Sequence, residues 1–421
     1  MKYLKKINKK KSIQLSQLFS AEISSLVIGY LLLSILSKKL LPEGLGYYSL
    51  FQTILTTTFL FLKFGIYNTS SLLILNTTSQ QEKKELIGSL YIICAFIGVI
   101  LSFTFFIGSF LIEKTFINST IGLFFRNISF LFIIFPLSET IAHICRATNQ
   151  INILSFYKIT YKALLLTMIV CYSLLKSTFI PEIICLMFLF SIYSLTIVVS
   201  MKFKPSFNNS KKHIKNIFKK NKSYGIHLYL GQIIDESTFY LDKILIGIYL
   251  SFESIGYYHI GVAITAPIIL FSNTLSTILF KDFAHQNKLS NKVIILNIFT
   301  LILSGLILII FKKWIIILLF GLEYLKTLPI ITPLIIGLFF NGLAQPYAIF
   351  LKAKGFGKVG YFCLFSGPVN LIGNIILIPK FGILGAAYAT LISNITIYIF
   401  YFTCYIYYLN IKDFNSETSN S

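Results

Sequence analysis

Charge is what this 421-residue chain has least of: 12% of its residues are Asp, Glu, Lys or Arg, and 56% are hydrophobic. A soluble domain carries roughly 25% charged residues, so a water-soluble fold is excluded. The mean hydropathy of +0.78 makes lipid the dominant solvent. Acids are the scarcer sign, 15 against 37 Lys and Arg, for a net charge of +22. In a soluble chain that balance would point to nucleic acid. Here the bases lie mostly between apolar runs, where they orient a membrane protein instead, and no nucleic-acid partner is implied.

The chemistry of sites is equally sparse. The six cysteines (Cys94, Cys145, Cys171, Cys185, Cys363, Cys404) lie in or at the ends of apolar stretches, with no C-x-x-C and no Cys/His spacing suited to zinc. They read as small core residues. Gly355-Phe356-Gly357-Lys358 lacks the spacing and the Ser/Thr of a phosphate-cradling loop, so no ATP is expected. The outer loops near 112–118, 176–182 and 320–327 are short and hold no paired carboxylates, histidine cluster or nucleophile elbow. Nothing in the residues asks for an enzyme, a metal or a cofactor.

What the chain does have is apolar length. A membrane helix needs about 20 apolar residues, and runs of that kind lie near 14–37, 45–75, 86–112, 117–145, 152–175 and 179–201. Six more lie near 224–250, 255–280, 293–311, 327–351, 359–378 and 382–409. The run at 45–75 is long enough for a kinked or strongly tilted helix. Residues 202–222 carry eight lysines and form the one long polar linker. The expected fold is therefore all-α, with about 12 transmembrane helices in two six-helix lobes at 1–201 and 223–410. The linker at 202–222 and a tail at 411–421 complete the division. The basic stretch Met1–Lys11 precedes an apolar run without a small-residue cleavage site, which reads as a retained first span.

With the N-terminus inside, inner segments hold 24 Lys/Arg and outer segments eight. That bias places both termini and the linker in the cytoplasm. A short repeat supports two like halves: Glu43, Gly46, Tyr47 and Tyr48 return as Glu253, Gly256, Tyr257 and Tyr258. Both copies fall at an outer turn entering the second span of a half, so the duplication is parallel. The element reads as an outer-face hairpin turn, away from any chemistry.

Ionisable residues within spans are functional-site hypotheses by default. The bases are Lys63, Arg126, Lys158, Lys162 and Lys243; the acids are Glu22, Glu139, Asp235, Glu236 and Asp242. At about 1.5 Å per residue, Glu22, Arg126, Asp235 and Glu236 fall near mid-membrane, and Asp242 with Lys243 nearer the outer surface. Lys158 and Lys162 are one turn apart on one helix side. The bases suit an anionic head group, and Glu22, Asp235, Glu236 or Asp242 a coupling proton or cation. Cross-helix ion pairs are the alternative for each. Glu139, His143 and Arg146 share one face and read as a gate or loop latch. Prolines 136, 267, 333, 346 and 368 permit bends.

The stretch Ile378-Pro379-Lys380-Phe381-Gly382-Ile383-Leu384-Gly385-Ala386-Ala387-Tyr388-Ala389-Thr390, with Val369, Asn370 and Asn374 before it, resembles the polysaccharide-biosynthesis exporters. These are the O-antigen flippases of the multidrug/oligosaccharidyl-lipid/polysaccharide (MATE-like) superfamily. The turn Leu41–Tyr48 and Leu241-Asp242-Lys243-Ile244-Leu245 carry the same likeness, which spans the chain. The small-residue motif reads physically as helix packing. The resemblance implies a flippase for an undecaprenyl-diphosphate-linked oligosaccharide, an O-antigen or capsule repeat unit, working by alternating access in the bacterial inner membrane. It also implies basic residues in a central cavity and association with the glycan polymerase machinery. Two rivals remain open. A multidrug cation antiporter should be dominated by acids, whereas in-span bases equal acids here. An oligosaccharide polymerase usually needs a large outer loop.

Overall fold

The computed structural model describes residues 9–116, 120–176, 178–354 and 366–418, without the side chains at 9–19, 21, 234–239, 277–278, 280–282, 284–285 and 411–418. Every regular element among these residues is helical. In hydrocarbon each backbone N–H and C=O must be satisfied within its own segment, and helices do this.

The first unit is built from α1 (Lys9–Leu62), α2 (Ile66–Asn76), α3 (Gln80–Thr115), α4 (Ile121–Ile128), α5 (Phe135–Ala147), α6 (Ile151–Leu175), α7 (Pro181–Lys202) and α8 (Ser210–Lys220). The second is built from α9 (Ile226–Tyr249), α10 (Phe252–Thr265), α11 (Leu270–His285), α12 (Asn291–Leu319), α13 (Leu328–Ala353), α14 (Ser366–Phe381) and α15 (Ile383–Thr418). The units divide inside two helices: Met1–Leu41 and Ile54–Leu230 form one, Pro42–Thr53 and Gly231–Ser421 the other.

Nine segments among the described residues are long and apolar enough to cross a membrane. The first of them, Glu22–Leu62, is two arms, because Leu41 (φ 58°) breaks α1 ahead of Pro42. Two further helices fall outside those nine: α9 carries Asp235, Glu236, Asp242 and Lys243, and only 16 residues of α14, Ser366–Phe381, are described. Splitting the first segment and adding these two gives twelve rods, where the twelve apolar runs lie. Lipid-facing surface is plain on α12, whose Phe299, Ile310 and Trp314 are all exposed.

The long run at 45–75 is a helix pair. The chain breaks at Phe64 (φ 46°) and Gly65 (φ 74°) before α2 resumes. A Cβ on Gly65 would lie 2.2 Å from the Gly225 carbonyl oxygen, so only glycine fits the break. Asn221 clamps it, donating from Nδ2 to the Phe64 carbonyl (2.8 Å) and accepting from the Thr69 hydroxyl (2.7 Å). Proline bends appear as 3-10 stretches at Ser129–Ile134, ahead of Pro136, and at Ala266–Ile269 around Pro267. By contrast α13 runs through Pro333 and Pro346.

The polar linker is not a bare tether. Residues 210–220 form α8, which buries His213 and Ile217, one turn apart, and exposes its lysines. His213 Nε2 lies 3.0 Å from Glu85 Oε2 on α3, and Asn209 Nδ2 donates to the same carboxylate at 3.2 Å. The linker therefore belongs to the first compact unit, whereas the sequence division sets it between two lobes. Glu85→Ala removes both partners at once and is expected to release α8. Limited trypsin digestion should then cut within Lys211–Lys222 at least several-fold faster; unchanged protection would show that apolar packing alone holds the helix.

Candidate functional site

The seventh run, α9, carries more ionisable residues than a lipid-facing helix can hold. One of them, Asp242, is buried at 4% exposure. An unpaired carboxylate would not stay charged there, so its partners decide what it does. Three side chains from three other helices reach it. Tyr258 of α10 donates its hydroxyl to Oδ2 (2.5 Å), and Thr390 of α15 donates to the same oxygen (2.7 Å). Asn374 of α14 donates from Nδ2 to Oδ1 (2.6 Å) and to Asn370 Oδ1 one turn away (2.9 Å). One buried atom of this cluster has no hydrogen-bond partner, Asn374 Oδ1. Four helices of the second unit thus converge on one carboxylate, with an acceptor to spare.

Each contributor comes from a motif that stands out in the sequence for another reason. Tyr258 ends the second copy of the Glu-x-x-Gly-Tyr-Tyr repeat, so that element is not remote from the chemistry of Asp242. The small-residue motif does pack as expected, with Ala386, Ala387 and Ala389 fully buried and Gly385 against the Leu377 carbonyl. Its last residue, Thr390, turns instead to Asp242. Asn370 and Asn374 are the paired asparagines preceding the motif. No sequence signal joins these positions to Asp242, because they lie up to 148 residues away.

The repeat itself forms a close crossing. A Cβ on Gly46 would fall 1.7 Å from the Phe252 carbonyl oxygen, and one on Gly256 would fall 2.1 Å from that of Pro42. The two glycines let the stretch Pro42–Thr53 and α10 meet backbone to backbone. Tyr47 adds an edge-on contact to the Phe252 ring at 5.9 Å. Beside Asp242, Lys243 Nζ donates to His259 Nδ1 (2.9 Å).

In the first unit the in-span bases have local partners. Lys158 Nζ pairs with Glu22 Oε1 at 2.5 Å, and Lys162 Nζ donates to the Ser25 carbonyl (3.1 Å), so both lysines hold α6 to α1. Lys63 Nζ lies 3.4 Å from Glu139 Oε1, and His143 Nε2 lies 3.9 Å from the same oxygen. That pair ties the break at 63–65 to α5, where the Ser71 hydroxyl also donates to the His143 carbonyl. Arg126 pairs with Glu113 (2.5 Å), donates from Nε to the Ser109 hydroxyl (3.2 Å) and stacks 3.8 Å over the Phe110 ring. Arg126 is thereby placed beside the last turns of α3, not at mid-helix; counting residues from the start of a run that begins with the unexpected short helix α4 misplaces it. The side chains of Asp235 and Glu236 lie outside the described residues. Among the described residues no three His, Cys, Asp or Glu side chains gather as metal ligands.

Known proteins resemble this arrangement at three levels. A family model described as polysaccharide biosynthesis protein matches residues 35–295, more than half of the chain. An uncharacterized membrane protein of Methanocaldococcus jannaschii is 29% identical over 203 residues, covering 45% of this chain. The chain spans only 39% of that relative's length. Among solved structures, the lipid II flippase MurJ in an inward closed conformation superposes with a TM-score of 0.75 at 18% identity, over 92% of this chain and 87% of that one. An inward-facing multidrug resistance MATE family transporter of the MOP superfamily gives 0.69 at 12% identity, over 92% and 95%. A MOP superfamily transporter from Pyrococcus furiosus gives 0.63 at 12%, over 95% and 94%. At these identities the structures establish a shared fold.

Proposed function

The chain belongs to the polysaccharide biosynthesis protein family, and from that premise we propose that it is a flippase for a lipid-diphosphate-linked oligosaccharide. It carries the glycan from the cytoplasmic to the outer leaflet of the bacterial inner membrane by alternating access, without ATP, and both its termini are cytoplasmic. Undecaprenyl diphosphate is the carrier, and an O-antigen or capsule repeat unit is the cargo. The family match is the observation that carries this reading, and the MurJ-like fold supports it.

Coupling is assigned to Asp242, which takes up a monovalent cation. Its support is the cage around it: one buried carboxylate, two hydroxyls and an asparagine whose Oδ1 has no partner. A half-turn of the Asn374 amide would present that oxygen toward the carboxylate and complete a cage of oxygens. One fixed negative charge matches one positive charge. Asp235 and Glu236 remain coupling candidates on the same helix, whereas Glu22 is engaged by Lys158. Lys63, Arg126, Lys158, Lys162 and Lys243 remain head-group candidates, each with a local partner that a diphosphate would have to displace.

Deleting the gene tests the cargo. Lipid-linked repeat units should accumulate on the inner leaflet and surface glycan should fall, with both restored by the wild-type gene. Intact surface glycan without accumulation, together with drug resistance on overexpression, would instead favour the multidrug antiporter reading.

A further inference from the structure

The second unit contains a cavity of ≈ 340 Å³ with Asp242, Tyr258 and Thr390 among its walls. Along α13 it follows a single face, from Leu334 through Asn341 and Gln345 to Lys352. The 18 steps from Leu334 to Lys352 rise about 27 Å at 1.5 Å per residue, close to the ~30 Å of a bilayer's hydrocarbon core. Lys352 is exposed at one end, and Asp242 is buried among the wall residues. The cavity is therefore long and narrow and lies inside one helical unit.

Its chemistry is not that of a packing fault. Asn341, Gln345 and Lys352 are the only amide or charged side chains in α13, and all three face the cavity. Gln345 Nε2 donates to Asn341 Oδ1 (3.0 Å), and Asn341 Nδ2 donates to Asn394 Oδ1 (2.9 Å). Asn341 is 7% exposed and Asn394 4%, and Asn394 Nδ2 has no partner. Burying such groups without full pairing is costly. Dry cavities are lined by apolar groups, while polar ones hold water. At ~30 Å³ per water this one has room for about ten.

We propose that this cavity is the route by which a monovalent cation reaches Asp242 from the Lys352 end of the bundle. The amides of Gln345, Asn341 and Asn394 stand in turn for part of its hydration shell. The lining offers carbonyl and hydroxyl oxygens along its length, the positive charge of Lys352 at its exposed end and a fixed negative charge only at Asp242, so a cation that passes the lysine is held at one place. This inference rests on the assignment of Asp242 as the cation site, and its test separates the two.

The measurement is uptake and release of ²²Na⁺ and ⁸⁶Rb⁺ by the full-length protein in nanodiscs, with rates and equilibrium binding recorded together. A residue on a route changes the rates of binding and release equally and leaves Kd where it was. Asn341→Leu and Gln345→Met, the second keeping the side-chain length, should slow both rates about tenfold with Kd within twofold. Asn341→Gln should keep near-normal rates, which excludes a folding defect. If neither ion binds, or if Asp242→Asn binds as the wild type does, the site assignment falls and the route with it. If binding needs Asp242 but both route variants keep wild-type rates, or shift Kd by as much as the rates, the route is overturned and the site stands.

Discussion

Asp242→Asn is expected to leave the protein folded and to lower glycan transport by about two orders of magnitude, the loss that follows from about 2.7 kcal/mol of cation binding. The asparagine can keep the local bonds. Its oxygen takes the place of Oδ2, which accepts from Tyr258 and Thr390, and its amide meets Asn374 once that side chain turns over. Only the charge is lost. Asp242→Ala is a different experiment, because it removes the shared acceptor: Asn374 keeps Asn370, and Tyr258 and Thr390 keep each other, but one of the two hydroxyl protons loses its partner. At about 1–3 kcal/mol for an unsatisfied buried group, it should destabilise the protein by that amount. Transport by reconstituted protein, set beside thermal unfolding in the same detergent, separates the two effects. Normal transport by a well-folded Asp242→Asn would reduce the cluster to a structural knot.

Gly46→Ala and Gly256→Ala should each destabilise the second unit by about 1–3 kcal/mol, the usual cost of forcing a methyl into a packed site. The obstacle at both positions is a backbone carbonyl, which cannot swing aside as a side chain would. The helices must separate, and Tyr258 is carried on one of them. Loss of transport should therefore accompany the lower melting temperature. The double variant should cost less than the two single losses together, since one separation relieves both clashes. Gly108→Ala serves as the control: nothing lies within 4 Å of its added Cβ, and alanine there should be neutral or gain about 0.5–1 kcal/mol. Equal melting temperatures for Gly46→Ala and the wild type would mean that the crossing is looser than its geometry.

Much of the fold was legible because hydropathy is a local property. Twelve apolar runs mark where the rods lie, and the prolines at 136 and 267 mark bends, whereas α13 runs on through Pro333 and Pro346 and the breaks at Leu41 and Gly65 were not singled out. The linker's helix α8 was less legible, since its hold on α3 depends on Glu85, 128 residues from His213. The family, too, could be read from short motifs, and the match over residues 35–295 agrees.

The candidate site divides the same way. Composition alone singles out α9 as the most polar span and Asp242 as one of several acids in it. Which acid is held, and by what, depends on how four helices are rotated about their axes. Rotation is set by close packing at glycines and alanines far apart in the chain, and no spacing within a single helix encodes it. The same physics pairs Lys158 with Glu22, 136 residues away, and Arg126 with Glu113. The sequence by itself determined that the protein lives in lipid, in twelve helices, with charges that lipid cannot tolerate unpaired. Only the tertiary structure decided the pairs, because a buried charge takes its partner from whichever helix packing brings within hydrogen-bond reach.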